Sequence, residues 1–199
     1  VFYGQVFGIS GGLNSASGKL SSTEFSISNE VDVSARSLFF VGAYLEFRLE
    51  IDNQFANHAP DLRNRFFLQV GVRYQQNGFV LQQSPFLDHD LETTINQLNV
   101  PFFLKYILFD QLAVKLGGYG AVYTKIDQTY NNLTYNAKER NENVGGGFLL
   151  GAEYEINDKF VIELRYHLSE TRLTLNSNHI GPHKFKGKFL QAGLGVKFN

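Results

Sequence analysis

A strict alternation between apolar and other side chains runs through most of this chain and restricts it to a β fold. From residue 38 to residue 50, for example, Phe39, Val41 and Leu45 share one parity, and Glu46 and Arg48 share the other. Side chains that alternate with a period of two lie on opposite faces of a strand. These runs exceed the roughly 5–6 residues of an ordinary strand, and they match the roughly 9–11 residues that a strand needs to cross a bilayer.

Seven segments carry this pattern, and the connections between strands alternate in length. The segments are 38–50, 65–75, 97–108, 112–125, 147–156, 160–169 and 189–198. An eighth segment, 2–14, is rich in glycine, and its two faces are not assigned from the sequence. The long polar connections 14–36, 76–96, 126–143 and 170–186 alternate with the tight turns 109–111 and 157–159 and the intermediate connection 52–64. Because this asymmetry is typical of membrane barrels, the sequence predicts one all-β domain over 1–199, an eight-stranded antiparallel up-and-down transmembrane β-barrel.

The narrowness of such a barrel indicates which face points inward. The interior of an eight-stranded barrel is only just wide enough for side chains, so large apolar residues at every inward position would crowd it. Glycines on the charged face, such as Gly42 and Gly71, would leave room there for Arg and Lys. The apolar face is therefore predicted to contact lipid, at Leu45, Val70, Leu104, Leu116, Leu164 and Leu194. A soluble, lipocalin-like barrel with the two faces exchanged is the alternative.

The charged face carries six cationic and five anionic side chains, with Glu50 and Glu155 among the latter, and this near balance favours a closed lumen. The predicted network consists of Glu46, Arg48, Arg73, Lys105, Lys115, Glu153, Glu163, Arg165 and Lys197. Buried charges must be paired and hydrogen-bonded. The expected pairs join the cations Arg73, Lys105, Lys115 and Arg165 to the carboxylates Glu46, Glu153 and Glu163. Such a salt-bridged plug leaves no continuous water path, whereas the alternative, a narrow porin for small solutes, needs a wider barrel or an unbalanced lining.

Composition excludes several other classes of protein. With 18 Lys and Arg against 19 Asp and Glu, the net charge is −1 and gives no electrostatic reason to expect nucleic acid as a partner. The chain has no Cys, which excludes disulfides, thiol catalysis and cysteine metal sites. It has no run of 18 or more apolar residues, which excludes a helical membrane protein. Because the chain does not begin with Met, we expect that a signal peptide has been removed.

Four short motifs resemble a known family. The chain resembles the small outer-membrane β-barrel proteins of Bacteroidetes-type bacteria, the porin-family or PorT-like group, at Gly11-Gly12-Leu13-Asn14, Asn99-Val100-Pro101-Phe102-Phe103-Leu104-Lys105-Tyr106, Gly117-Gly118-Tyr119-Gly120 and Glu163-Leu164-Arg165-Tyr166. The resemblance implies an outer-membrane location and an eight-stranded barrel. Such barrels commonly end in an aromatic residue, whereas here Phe198 is penultimate and Asn199 follows.

Candidate chemistry is weak. His167 and Ser169 have the spacing that outer-membrane lipid A deacylases use, so an outer-membrane lipid-modifying esterase is one alternative. However, both share the face that is predicted to line the lumen, away from acyl chains, and a hydrogen-bond network is the better interpretation. Asp88-His89-Asp90 has no third ligand nearby, and Gly181-Pro182 separates His179 from His183 and prevents helical i, i+4 geometry. We therefore expect a protein that is not an enzyme and has no metal or cofactor.

Any specific function is expected in the long connections, because loops on a rigid scaffold are the usual place for recognition. The segment 126–143 is the most suggestive, since it combines Tyr130 and Tyr135 with several Asn and charged residues. The expected partners are outer-membrane lipid or lipopolysaccharide and other outer-membrane proteins, bound through the long loops or the barrel wall. The sequence thus favours a structural barrel or a subunit of a larger secretion or insertion complex.

Overall fold

A computed structural model describes residues 2–22, 31–49, 65–82, 89–137, 144–174 and 182–198, almost all of them in strands. The strands are β1 Phe2–Ser22, β2 Val31–Leu49, β3 Phe66–Leu81, β4 Leu91–Phe109, β5 Leu112–Tyr130, β6 Leu133–Asn136, β7 Val144–Glu155, β8 Phe160–Thr174 and β9 Pro182–Phe198. Among these residues there is no helix that is long and apolar enough to span a membrane.

Eight of the strands close into an antiparallel barrel, which confirms the predicted fold. Each wall strand pairs with the next along the chain, β5 pairs directly with β7, and β9 pairs with β1 to complete the ring. The ninth strand, β6, pairs only with the last residues of β5. The first strand acquires a definite orientation, with Ser10 and Asn14 buried inside and Phe7, Ile9 and Leu13 exposed outside.

The barrel has two different ends. At one end, here called the turn end, Asp110 and Gln111 join β4 to β5, and residues 156–159 join β7 to β8. The side chain of Asn157 stabilises the second turn, because its Oδ1 accepts hydrogen bonds from the backbone N–H groups of Lys159 and Phe160, each at 2.9 Å. At the opposite end, here called the hairpin end, the strands extend further as antiparallel pairs.

The long connections are much shorter than the sequence predicted, because the strands continue into them. β3 reaches Leu81 and β4 begins at Leu91, so most of the predicted connection 76–96 is strand. The segment 126–143 contains a β-hairpin in which β5 turns at Asn131 and Asn132 into β6. Both asparagines have positive φ, 49° and 62°, which a two-residue hairpin turn of the I′ type requires and which Asn tolerates. Polar composition marked this segment as a loop, although its hydrogen bonds are those of a sheet.

The outer face carries a broad apolar band around the turn-end part of the barrel. The lipid-facing positions predicted from the sequence all lie in this band: Leu45, Val70, Leu104, Leu116, Leu164 and Leu194. Along β4 the band runs from Leu98 to Leu108, which spans about 25 Å of membrane for a strand tilted as in outer-membrane barrels. Above the band the outward residues are polar, as at Glu92 and Thr94.

Candidate functional site

The turn-end half of the lumen is filled by an ion-pair network centred on Glu153. This carboxylate is 1% exposed and forms ion pairs with Lys105, Lys115 and Lys197, the last at 3.0 Å. Lys105 also contacts Glu46, with Nζ 3.2 Å from Oε1. Glu153 and its three lysine partners come from β4, β5, β7 and β9, so the network joins different sides of the wall across the lumen.

A second cluster lies beside it around Glu163. Arg73 donates to Oε1 of Glu163 at 2.8 Å, and Arg165 donates to Oε2 at 2.6 Å, so both carboxylate oxygens are used. Gln69 links the lumenal groups further, since its Nε2 donates to Glu46 and its Oε1 accepts from Lys115. The arrangement satisfies buried charges by pairing and hydrogen bonding, which is the condition for charges to remain ionised away from water.

Two members of the network differ from the sequence prediction. Arg48 was predicted to belong to it, but its side chain is exposed at the turn end, with the guanidinium carbon 5.8 Å from the ring centre of Phe67. The reason is that β2 ends at Leu49, so Arg48 lies at the rim, where water solvates it. Glu155 joins the network instead, through ion pairs with Lys197 and Lys105.

A layer of neutral polar side chains lies above the charges, with Gln191 at its centre. Gln191 Oε1 accepts from Arg73 at 2.8 Å, and its Nε2 donates to Gln75 at 2.9 Å. Gln75 in turn donates to Asn77, which also accepts from Asn14. These amides were not singled out from the sequence, where they are single Gln and Asn residues on strands. The signal that could have identified them was parity, because Gln75 and Asn77 alternate in phase with Arg73 on β3 and Gln191 alternates in phase with Lys197 on β9.

His167, one of the two weak catalytic candidates, belongs to this polar layer. Its Nε2 lies 2.8 Å from Gln191 Oε1, and its ring contacts the edges of Tyr119 and Phe189. The side chain is 2% exposed and faces the lumen rather than the outer surface. The side chain of Ser169, the other candidate, lies outside the described residues, as do Asp88 and His179 from the metal candidates. No group of three or more possible metal ligands occurs among the described residues.

Among the described residues, the hairpin-end half of the lumen contains a layer of buried apolar side chains. This apolar layer consists of Phe79, Leu81, Leu91, Ile95, Tyr123, Ile126 and Ala137, each at most 6% exposed. A register shift around Thr124 moves Ile126 and Gln128 to the inward face and Lys125 to the outward face, opposite to a continued alternation. Sequence reasoning missed the apolar layer because all its residues except Tyr123 lie in segments that were interpreted as polar loops.

Some inward glycines make room for aromatic rings rather than for cations. A Cβ at Gly193 would lie 2.6 Å from Cζ of Phe40, and a Cβ at Gly8 would lie 2.7 Å from Cε1 of Tyr44. The prediction that glycines accommodate Arg and Lys fits Gly42, whose added Cβ would lie 3.0 Å from Cβ of Arg73, but not Gly193.

An open polar cleft lies outside the lumen at the tip of the β5–β6 hairpin. His89, Glu92, Thr129 and Asn132 are among the side chains that line this cleft, which encloses about 360 Å³. The imidazole of His89 stacks edge-on against Tyr130, with ring centres 5.6 Å apart. An aromatic ring among hydroxyl, amide and carboxylate groups is suited to a polar ligand.

The chain belongs to a family of outer-membrane proteins. Residues 5–171 match the model of the outer membrane protein beta-barrel domain, which is most of the chain. The protein is therefore an outer-membrane β-barrel protein of bacteria. This membership argues against the soluble, lipocalin-like alternative.

Solved structures support the same fold. The chain is similar to Neisserial surface protein A, with 13% identity, 98% of this chain and 100% of that chain covered, and a TM-score of 0.56. It is also similar to the outer membrane protein OprG from Pseudomonas aeruginosa, with 13% identity, coverage of 98% and 96%, and a TM-score of 0.53. At this identity the likeness establishes the barrel alone. No curated protein sequence matches the chain.

Proposed function

We propose that this protein is a closed, non-conducting and non-enzymatic barrel that serves as a structural element of the outer membrane or as a subunit of a larger outer-membrane complex. The double obstruction of the lumen carries the proposal. Across the described residues, a charged network fills the turn-end half, and buried apolar side chains of β3, β4 and β5 pack together in the hairpin-end half. Ions would have to break buried ion pairs and then cross a dry layer, so a water-filled path is not expected.

Planar-bilayer recordings test the closed lumen. We expect no stable open conductance from purified, correctly inserted protein, with insertion verified independently by resistance of the strands to protease. A stable, large conductance would contradict the proposal and favour the narrow porin instead.

The hairpin end is the proposed site of partner binding. The β5–β6 hairpin leaves Leu133 58% exposed and Tyr135 44% exposed, beside the polar cleft. Exposed apolar groups next to polar ones are a common basis for protein recognition. The resemblance to the PorT-like group supports a protein complex as the setting of this contact.

Lipid or lipopolysaccharide headgroups are proposed as a further contact, just above the apolar band. There Arg36 pairs with Glu92 at 3.1 Å, and Lys125 pairs with Asp127 at 2.7 Å, on the outward face. Charged pairs at this height can exchange partners with headgroup phosphates and amines, whereas the apolar band below them contacts only acyl chains.

Purification in mild detergent tests the protein partner. We expect one or a few defined outer-membrane proteins to co-purify with the wild-type chain and to be lost from the double variant Leu133→Ser, Tyr135→Ala. Leu116→Ala on the middle of the outer band is the matched control and should retain them. If both variants retain the same partners, the hairpin tip does not bind them, and if wild-type protein purifies alone, the structural role is favoured over the subunit role.

A further inference from the structure

An apolar groove lies on the outer face of the barrel, along β5. Phe102 of β4, Leu116 of β5 and Phe148 of β7 form its sides, and all three are exposed. The floor is backbone, because the outward residue between the two rings is Gly118, which pairs with Phe102 on one side and with Phe148 on the other. The groove has a volume of about 580 Å³.

The groove continues towards the hairpin end. The next outward residues on β5 and β7 are Gly120 and Gly146, which pair with each other. A Cβ at Gly120 would have no neighbouring side chain or strand of the described residues within 4 Å, and the atoms nearest to a Cβ at Gly146 would belong to the backbone. The three glycines therefore leave a groove that is one strand wide and follows β5.

The width of this groove decides what can enter it. Because β4 and β7 lie on either side of β5, their backbones are about 10 Å apart across the groove, and the two phenyl rings narrow it further. A membrane helix with its side chains is about 10–12 Å in diameter and stays outside. An extended hydrocarbon chain fits, and the bilayer supplies such chains.

The height of the groove identifies the lipid. On β4 the apolar band runs from Leu98 to Leu108, and Val100, the partner of Gly120, lies in its hairpin-end half. In outer-membrane barrels the short turns face the periplasm and the longer connections face the outside. The groove is therefore in the outer leaflet, which in this membrane consists of lipopolysaccharide.

A cation lies above the groove on the same strand. Lys125 faces outward beyond the apolar band and pairs with Asp127 at 2.7 Å. The lysine side chain is 56% exposed, so this pair is weak and can exchange. A lipid A phosphate carries more negative charge than a carboxylate and can replace Asp127 at Lys125.

We propose that the groove binds one saturated acyl chain of lipopolysaccharide, whose lipid A phosphate lies at Lys125. The inference rests on the proposed headgroup contact at Lys125 and adds a defined site for the chain below it. A straight chain packs against Phe102, Phe148 and the glycine floor, and gains dispersion contacts along its length. Within a bilayer, close packing of this kind rather than the hydrophobic effect holds apolar groups together.

Lipopolysaccharide that co-purifies with the protein provides the first test. The protein is extracted from outer membranes in mild detergent and washed, and the hydroxylated fatty acids of lipid A are quantified per barrel. Gly120→Leu places its side chain in the open groove, and we expect it to lower the bound lipopolysaccharide by about threefold or more. Ala192→Leu, at an exposed outward position of β9, is the matched control and should retain the wild-type amount. Equal amounts in the two variants would overturn the proposal.

Lys125→Ala separates the acyl-chain site from the headgroup contact. We expect Lys125→Ala and Gly120→Leu each to reduce the bound lipopolysaccharide. If only Lys125→Ala reduces it, the headgroup contact holds and the acyl-chain site is wrong. If only Gly120→Leu reduces it, the acyl-chain site holds and the headgroup contact at Lys125 is wrong.

Tryptophan fluorescence distinguishes lipopolysaccharide from phospholipid in the groove, because the chain has no Trp of its own. Phe102→Trp reports on the groove, and Phe39→Trp, on the outer face of β2, is the matched control. In vesicles of phosphatidylethanolamine with brominated acyl chains, both variants should be quenched. Lipopolysaccharide included in the vesicles should relieve the quenching clearly more in Phe102→Trp than in Phe39→Trp. Equal relief would show that phospholipid fills the groove as readily, and would overturn the assignment.

Discussion

The two halves of the barrel have opposite polarity: one is apolar outside and charged inside, and the other is polar outside and apolar inside. The medium around each half explains the difference. Along β4 the turn-end half has Leu104 outside and Lys105 inside, whereas the hairpin-end half has Glu92 outside and Leu91 inside. The inward parity is the same throughout this strand. A bilayer surrounds the first half and excludes charge from the outer face, so polar groups collect in the lumen. The second half has a polar outer face, as a wall exposed to water requires, and buried apolar side chains such as Leu91 and Ile126 inside.

This contrast shows that two different kinds of interaction obstruct the lumen, ion pairing in one half and apolar packing in the other. In the turn-end half, stability depends on pairing, because each buried charge needs its partner. In the hairpin-end half, it depends on close packing of apolar side chains, and no individual contact is essential. Substitutions in the two halves are thus expected to differ in size and in sensitivity to salt.

The largest effect is expected from Glu153→Gln in the charged network. This variant removes the negative charge that Lys105, Lys115 and Lys197 share, and leaves buried cations without compensation. Breaking buried ion pairs in this way costs about 3–5 kcal/mol of unfolding free energy. Urea unfolding in lipid vesicles measures the loss. Glu155→Gln at the partly exposed rim is the control and should lose clearly less, and equal losses would contradict the central place of Glu153.

A somewhat smaller effect is expected from Ile126→Ala in the apolar layer. Ile126 is 0% exposed, and truncation of a buried Ile to Ala costs about 2–5 kcal/mol, depending on how far the cavity collapses. The same urea experiment measures it. The variant should still not conduct in planar bilayers, because the charged network remains intact below it. An open channel in this single variant would show that the apolar layer alone closes the lumen.

Leu116→Arg tests whether the apolar outer face of the turn-end half contacts lipid. Leu116 is 64% exposed in the middle of the apolar band, where an Arg on the lipid face costs about 2–4 kcal/mol. Thr129→Arg, on the same strand above the band, should cost only about 0–1 kcal/mol. Folding into vesicles at increasing urea concentrations gives both values. If the two variants lose equal stability, the bilayer does not end between these positions.

The smallest effect is expected from Arg36→Ala, which removes the outward pair with Glu92. The two side chains are 38% and 47% exposed, so the pair contributes about 0–1 kcal/mol and is screened by salt. A double-mutant cycle with Glu92→Ala, measured at low and high salt, gives this coupling energy. A coupling above about 2 kcal/mol, or one that is insensitive to salt, would mean that this outer belt is buried in the membrane or by a partner.

The sequence predicted the membrane half of the molecule well, and the hairpin half poorly. In the membrane half, alternation assigned Arg73, Lys105 and Glu163 to one face, because lipid outside and a narrow lumen inside impose opposite polarity on neighbouring residues. In the hairpin half, the segments 76–96 and 126–143 were interpreted as loops, although the first is largely strand and the second contains a β-hairpin. The short pattern Leu91-Glu92-Thr93-Thr94-Ile95 still alternates, but its polarity is reversed, and an analysis based on membrane strands overlooks a reversed pattern.

Local pattern alone determined the number of wall strands, their order around the ring and the inward face of every membrane strand except β1, because these depend on a period of two and on connection length. Only the tertiary structure decided which charges meet. Arg73 and Glu163 are 90 residues apart and lie on β3 and β8, so their contact depends on the tilt and register with which the wall closes. The same closure placed Arg48 at the rim and moved Ile126 inward through a register shift. Contacts of this kind join side chains on different strands of the closed barrel, and the spacing of residues along the chain does not predict them.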